Sequence, residues 1–363
     1  MSKVLVARSI ADDRAPTREK ARAWTETNNM KILITGGAGY IGSITATALE
    51  EYGHTPIILD SLLSGPRIFT RNRIFYEGDI ANRDMIRRIM EEHPDIECTI
   101  HMAARIIVPE SVALPYEYYR DNVAKSLELF DQLVQLERLR IIFSSSASVY
   151  APAEDFEVFE DSPLNPLSPY ARTKQVMEMI LADLAASSRL RAIILRYFNP
   201  IGSDPYLRSG VHVRAPSHAL GQIVMAARGQ RDAFMLTGTD YPTRDGTGLR
   251  DYIHVWDLAL AHVRAVEQFD EVLKRTGEPS SIINVGTGSG VTVLELISTV
   301  ERVLCRQVPV RTAPRRAGDA VGGYANVDKA RTILEWSTRH SLEDGIRSAL
   351  DWAAKRKEIL GYE

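Results

Sequence analysis

The stretch PYARTK, residues 169–174, places Tyr170 and Lys174 four positions apart. On a helix that spacing puts both side chains on one face. Ser168 suits an N-cap and Pro169 the first helical turn, so a helix is expected to start here. A tyrosine hydroxyl has a pKa of about 10 and is a poor base at neutral pH. A neighbouring ammonium, or a positively charged nicotinamide, would stabilise the phenolate and lower that value. Upstream, IIFSSSASVY is a short apolar run ending in Ser144, Ser145 and Ser146. The carboxyl end of a strand is where parallel sheets present side chains to ligands. Ser146 at such an end would share a substrate oxygen with Tyr170. An isolated Tyr/Lys pair is more often plain surface; the strand-end serine makes it a proton-transfer set suited to alcohol–ketone chemistry.

A second constellation needs no side chains. KILITGGAGYIGS, residues 31–43, is an apolar run that stops at Gly36, Gly39 and Gly42, after which a new apolar pattern begins. A glycine-rich turn between strand and helix lets backbone N–H groups approach a pyrophosphate, whose charge the helix N-terminus stabilises. Asp60 ends the next expected strand, where an acid accepts from an adenosine ribose and repels a 2′-phosphate. That combination favours NAD over NADP. The spacing is Gly-x-x-Gly-x-x-Gly, not the Gly-x-Gly-x-x-Gly of the simplest dehydrogenases.

The elements that must hold these groups alternate from Met30 onward. Strands are expected over 31–35, 56–60, 73–76, 98–102, 140–144 and 191–197, and helices over 40–52, 82–92, 116–137 and 169–186. Apolar strands alternating with amphipathic helices imply a parallel sheet covered on both faces, an α/β Rossmann-type doubly wound fold. After about residue 198, glycine, proline and charge interrupt the pattern, as in PIGSDPYLRSG and TGTDYPTRDGTG. The expected division is an N-terminal extension over 1–29 and an NAD-binding domain over 30–198, to which later segments return. A smaller α+β region over 199–363 would mainly bind substrate.

Composition excludes several classes. The 363 residues are 45% hydrophobic and 25% charged with a net charge of −3, and the two signs are interspersed, so no nucleic-acid footprint is present. Cys98 and Cys305 lie far apart without metal-ligand spacing and read as buried thiols in a reducing, cytoplasmic setting. No apolar stretch approaches the roughly 20 residues that span a bilayer.

The chain resembles the extended short-chain dehydrogenase/reductase family, and within it the branch that epimerises UDP-hexoses at carbon 4. TGGAGYIGS, SSSASVY, PYARTK, RYFNPIGSDP, DYPTRDGTGLRDYIHVWDLA and PRRAGD occur in the family order. The resemblance implies NAD held by Tyr40, Ile41, Asp60, Ser64 and Gly65 on the adenosine side. Asp79, Ile80, Met102, Ala103 and Ala104 would follow at the next strand ends. Asn122, Ser144, Tyr170, Lys174 and Phe198 would surround the nicotinamide. Ser146, Tyr170 and Lys174 would be catalytic. Asn199, His218, Arg250, Tyr252, Arg316, Asp319 and Gly323 would hold the UDP-sugar, arginines matching diphosphate oxygens.

The resemblance also implies epimerisation through a transient 4-keto sugar, and a homodimer. The dimer would pair the helices 116–137 and 169–186 through apolar positions among Val123, Leu127, Phe130, Val134, Val176, Met177 and Ile180. A residue as small as Gly323 implies room for a 2-acetamido group. His218 stands where the family often has asparagine, Ile106 where it often has lysine, and Ser64-Gly65 replaces a frequent Asn-Ser pair. Those departures leave a uronate or a pentose open as the sugar. A 4,6-dehydratase would need an acid pair beside the strand-end hydroxyl, where Ala147 and Ser148 stand instead. A non-catalytic NAD-binding protein would have no need of Ser146, Tyr170 and Lys174 together.

Overall fold

The computed structural model describes residues 29–315 and 321–362. Seven parallel strands form the main sheet: β1 (Lys31–Thr35), β2 (Thr55–Asp60), β3 (Ile74–Glu77), β4 (Ile96–His101), β5 (Arg140–Ser144), β6 (Arg191–Tyr197) and β7 (Ser280–Val285). Their order is β7-β6-β5-β4-β1-β2-β3. The chain therefore starts in the middle, winds out to β3 and returns on the other side. The reversal falls between β1 and β4, the position at which open parallel sheets bind ligands.

Both faces of the sheet are covered, which is why its strands read as continuous apolar runs. On one face α1 (Tyr40–Glu51) lies beside the helix Val255–Glu267, enclosing Ile32, Ile34, Ile44, Leu49 and Val263. On the other lie α2 (Arg83–Glu92), α3 (Lys125–Gln135) and α4 (Pro169–Ser187), enclosing Leu33, Ile57, Phe130, Ile141 and Leu181. Asn82 caps α2 by accepting from the Met85 N–H at 3.1 Å.

Two expectations are corrected. The helix expected over 116–137 is three pieces: Pro115–Tyr119, a π-helical turn over Arg120–Ala124, then α3. The extra residue in that turn faces Asn122 inward, a displacement that a 3.6-residue period cannot register. Of the two cysteines only Cys98 is buried; Cys305 is exposed at the left-handed end of the helix Val293–Leu304. The strand β7 and the helix Val255–Glu267 are the later segments that return to the sheet.

The remainder is built from short pieces. Val291–Thr292, Leu249–Arg250, Gly322–Ala325 and Glu157–Val158 form a four-stranded sheet, and Asn199–Ile201 pairs with Tyr252–His254. Asp251 ties these pieces together. It is fully buried and accepts from the Thr287 N–H (2.9 Å), the Thr287 hydroxyl (2.7 Å), the Gly288 N–H (3.2 Å) and the Ala325 N–H (3.2 Å). Burial raises its pKa and these donors pull it back, the usual compensation for a buried carboxylate.

Candidate active site

The glycine turn is built by close approach. Gly36 has φ +77°, and a Cβ there would lie 2.7 Å from the Ala103 nitrogen at the end of β4. A Cβ on Gly42 would lie 2.3 Å from the Gly36 carbonyl oxygen. Both positions exclude any side chain because their neighbours are backbone. Gly39 differs: a Cβ would meet only the Gly36 oxygen, at 3.2 Å, and would otherwise fill the space in front of α1. Gly39 is also the N-cap of α1 and supplies no side-chain cap, and the first turn carries no acid. The helix thus begins with its N–H groups facing a cradle that only a glycine leaves clear, which fits a diphosphate.

Asp60 closes this end. Its Oδ2 accepts from the Ala38 N–H (2.9 Å) and its Oδ1 from the Leu62 N–H (2.8 Å). Burial pushes its pKa up and these two bonds pull it down. Each oxygen keeps acceptor capacity for a ribose hydroxyl. Gly65 presses on the turn, since a Cβ there would be 2.7 Å from the Ala38 carbonyl. His212, from the far half of the chain, has the Ser64 backbone as the neighbour that opposes the lowering of its pKa by burial. The nucleotide released from purified protein is expected to be NAD. Chromatography yielding mainly the 2′-phosphorylated form would show Asp60 misassigned.

Several expected cofactor positions have side chains engaged within the chain. Tyr40 is turned away, its hydroxyl donating to the Gly202 carbonyl at 2.7 Å. Asp79 is taken by Lys125 (2.5 Å) and the Ala81 N–H (2.9 Å). Ile80 is buried in the core under α2. Asn122 spends its amide on the chain: Oδ1 accepts from the Arg105 N–H (2.7 Å), and Nδ2 donates to the Arg105 carbonyl (3.0 Å) and Thr173 Oγ1 (3.1 Å). It shapes the loop after β4, where Met102, Ala103 and Ala104 lie. Ile41 is half-buried against the same core as α1.

Ser146, Tyr170 and Lys174 come together where β5 ends and α4 begins. Ser168 Oγ accepts from the Ala171 N–H at 3.2 Å, so α4 starts as its sequence implies. Tyr170, 8% exposed, has Ser146, which stands just past β5, as the neighbour that favours its ionised form. One turn on, the Lys174 ammonium donates to the Ser144 carbonyl at 2.7 Å and lies 4.9 Å from the Phe143 ring centroid. The expected lowering of the phenol is not met by the chain's own groups: burial raises the Tyr170 pKa and only Ser146 opposes it. Burial also brings Lys174 down to about 8, with Glu178 pulling upward. Ser144 Oγ is 3.2 Å from His262 Nε2, so its hydroxyl serves the core.

The substrate side is looser. Phe198 is buried beside Val149 and Tyr150, and Asn199 follows it, exposed. Arg250 Nη1 donates to the Leu249 (2.7 Å) and Val321 (2.8 Å) carbonyls, and Tyr252 is buried behind it. His218 caps the helix Ala219–Ala227, its Nδ1 accepting from the Gly221 N–H at 3.1 Å. Arg316 and Asp319 lie outside the described residues. At Gly323 the expectation of unobstructed space is corrected: a Cβ would sit 2.8 Å from the Phe156 carbonyl oxygen. Gly322 is the residue that needs glycine for its backbone, with φ +104°.

Three polar residues escaped the sequence reading: Ser145, Glu178 and Arg196. All three are buried directly behind Ser146 and Lys174. The available signal was an arginine, Arg196, inside the apolar part of the strand RAIILRY and an acid one turn after Lys174.

Comparison with known proteins places this geometry. Residues 32–286 match the model of the NAD dependent epimerase/dehydratase family. The UDP-glucose 4-epimerase of Azospirillum brasilense is 40% identical over 333 residues, 91% of this chain and 94% of that protein. That of Bacillus subtilis is 38% identical, over 92% of this chain and 99% of that one. The crystal structure of UDP-glucose-4-epimerase from Stenotrophomonas maltophila, with bound NAD and formylated UDP-arabinopyranose, aligns with a TM-score of 0.86 at 37% identity, covering 91% and 99% of the two chains. The epimerase from Bifidobacterium longum, in complex with NAD+ and UDP, gives 0.84 at 32% identity, covering 92% and 100%. With the family model matched over residues 32–286 and relatives of about 40% identity along nine-tenths of the chain, this protein, with its glycine cradle at the sheet's reversal and its Ser146, Tyr170 and Lys174, is a member of the NAD dependent epimerase/dehydratase family.

Proposed function

We propose that the protein interconverts UDP-glucose and UDP-galactose by NAD-dependent epimerisation at carbon 4. The observation that carries this is the meeting of Ser146, Tyr170 and Lys174 at the sheet's ligand-binding end, beside a cradle that fits a diphosphate. Residues 30–198, with the returning segments, form the NAD-binding part, and 199–363 mainly hold the UDP-sugar.

At that site a bound nicotinamide would take up and later return the hydride of carbon 4, and its positive charge would favour the Tyr170 phenolate. Tyr170 Oη, so ionised, takes the proton of the sugar 4-hydroxyl as that hydride leaves, and Ser146 shares the hydrogen bond to that oxygen. The resulting 4-keto sugar needs freedom to present its other face while the nucleotide end stays fixed. Tyr170 then returns the proton to the inverted alcohol. Lys174, clamped on the Ser144 carbonyl, keeps a positive charge one turn from the phenol. The kinetic test is incubation with UDP-galactose and no added NAD. UDP-glucose is the expected product; no turnover of UDP-galactose alongside turnover of a UDP-uronate or UDP-pentose would move the assignment to that sugar. UDP-N-acetylglucosamine is a further arm, and a kcat/KM more than about 10³-fold below that for UDP-glucose would show the pocket closed at carbon 2.

The protein acts as a homodimer in the cytoplasm. No described helix is long and apolar enough to cross a membrane. Of the apolar positions on the two long helices, Phe130 and Met177 are buried toward the protein's own sheet, whereas Leu127 is exposed. Val112, Leu114, Tyr116 and Met179, on α4 or on the segment 108–119 packed against it, are exposed as well, between 46% and 73% accessible. An apolar surface of that kind supports pairing with a second copy. Sedimentation at micromolar concentration is expected to give twice the chain mass; a monomer would reject the pairing.

A further inference from the structure

Behind the reacting groups lies a buried charge network that proton transfer does not itself use. Arg196 on β6 is 2% exposed and Glu178 on α4 is 5% exposed. They form a bidentate pair, Arg196 Nε to Glu178 Oε1 at 2.9 Å and Nη2 to Oε2 at 2.6 Å. Arg196 Nη1 also donates to the Glu160 carbonyl at 3.0 Å, and its guanidinium lies 4.8 Å from the Tyr150 ring centroid. The Ser145 hydroxyl donates to Glu178 Oε1. Ser145 stands between Ser144, whose carbonyl holds Lys174, and Ser146, which meets Tyr170. Glu178 itself lies one turn beyond Lys174, on the same face of α4.

We infer that Glu178 is a positioning residue for the reaction: fixed by Arg196 and Ser145, its carboxylate keeps Lys174 in the charged form and anchors the strand end that presents Ser146. The surroundings of Lys174 leave that task to Glu178. Across from Lys174, the His101 ring on β4 is fully buried and held neutral, its pKa brought down to about 3 by burial and by the lysine itself. Tyr170 on the same helix and Tyr197 on β6 are phenols whose pKa burial pushes up, and neither is a carboxylate. His262, beside Ser144, is brought down to about 4 by burial. Arg196 is a second cation. Only Glu178 opposes the burial that brings Lys174 down to about 8.

The inference rests on Tyr170 and Lys174 being the reacting pair. Its test is the pH dependence of kcat in folded, NAD-loaded protein. In wild type, activity falls as pH rises through the Lys174 pKa. In Glu178→Gln the carboxylate charge is gone and Arg196 stays positive, so that basic limb is expected to move down by about one pH unit, as for one charge lost a helical turn away. Glu178→Asp keeps the charge and is expected to restore the limb, whatever its kcat. Should Glu178→Gln fail to fold, Glu178→Gln with Arg196→Gln removes both buried charges, and a smaller downward shift is expected. A basic limb at its wild-type position in either folded, charge-neutralised variant would overturn the inference and leave Glu178 a purely structural residue. That outcome is distinguishable from failure of the underlying reading, in which Tyr170→Phe itself would stay active.

Discussion

Tyr170→Phe is expected to fold, to retain NAD and to lose about 10³–10⁴-fold in kcat, the upper part of the range for a general acid–base group. The phenol hydroxyl is the acid–base group of the cluster that has Ser146 as its neighbour. Lys174 cannot replace it, because its ammonium is held on the Ser144 carbonyl. The aromatic ring is retained, so the packing that leaves Tyr170 8% exposed is retained too. The loss should therefore appear in kcat, with little change in melting temperature. Because the reaction needs this phenol ionised and burial raises it, wild-type activity should fall as pH falls through the phenol's pKa, whereas the variant should lack that limb. A variant within a few-fold of wild type would remove Tyr170 from the mechanism.

Gly42→Ala is expected to abolish NAD retention and to destabilise the fold, although it adds one methyl group. That methyl would stand 2.3 Å from the Gly36 oxygen and 2.9 Å from Gly37 Cα. Both obstacles are backbone, so no side chain can swing aside, and relief requires moving the start of α1 away from the turn. Overpacking of this kind costs about 1–3 kcal/mol. Displacing the helix N-terminus also removes the donors that a diphosphate needs. Gly39→Ala provides the contrast. Its methyl meets only one atom, at 3.2 Å, so folding should survive while nucleotide binding weakens, since the methyl enters the cradle. Nucleotide content after gel filtration, measured beside a thermal melt, separates the two. Gly42→Ala protein that still carries stoichiometric NAD would show that the turn tolerates what its geometry forbids.

These sites were legible in the sequence to different degrees, and the differences have physical causes. The glycine turn and the start of α4 are local chemistry: a turn needs glycines and a helix needs a cap, so both can be read within a few residues. The π-helical turn over Arg120–Ala124 was missed because it inserts one residue into an otherwise regular helical pattern. The hydrogen bonds of Asn122 explain why that turn exists, but its partners Arg105 and Thr173 lie far off in sequence. The partner of Lys174 is a backbone carbonyl, which no residue type announces. Gly323 misled for a related reason. The absence of a side chain says nothing about what lies opposite, and here Phe156 lies opposite. The strand SSIINV was lost in a stretch broken by glycine and proline, since its pairing with β6 is set at a distance of almost ninety residues along the chain.

That last strand has a consequence for anyone wishing to isolate the cofactor-binding part. β7 hydrogen-bonds along β6 from Ser280↔Ala192 to Val285↔Tyr197, and the helix Val255–Glu267 covers one face of the sheet. A fragment ending near residue 198 would keep the glycine turn, Asp60, Ser146, Tyr170 and Lys174, the whole of the recognisable chemistry. It would also leave β6 as a raw edge of unpaired N–H and C=O groups, with an apolar face stripped of its helix. Such an edge recruits strands from other molecules. The natural cut in the sequence is therefore the wrong place to divide the molecule, and a soluble minimal version must carry residues 255–285 with it.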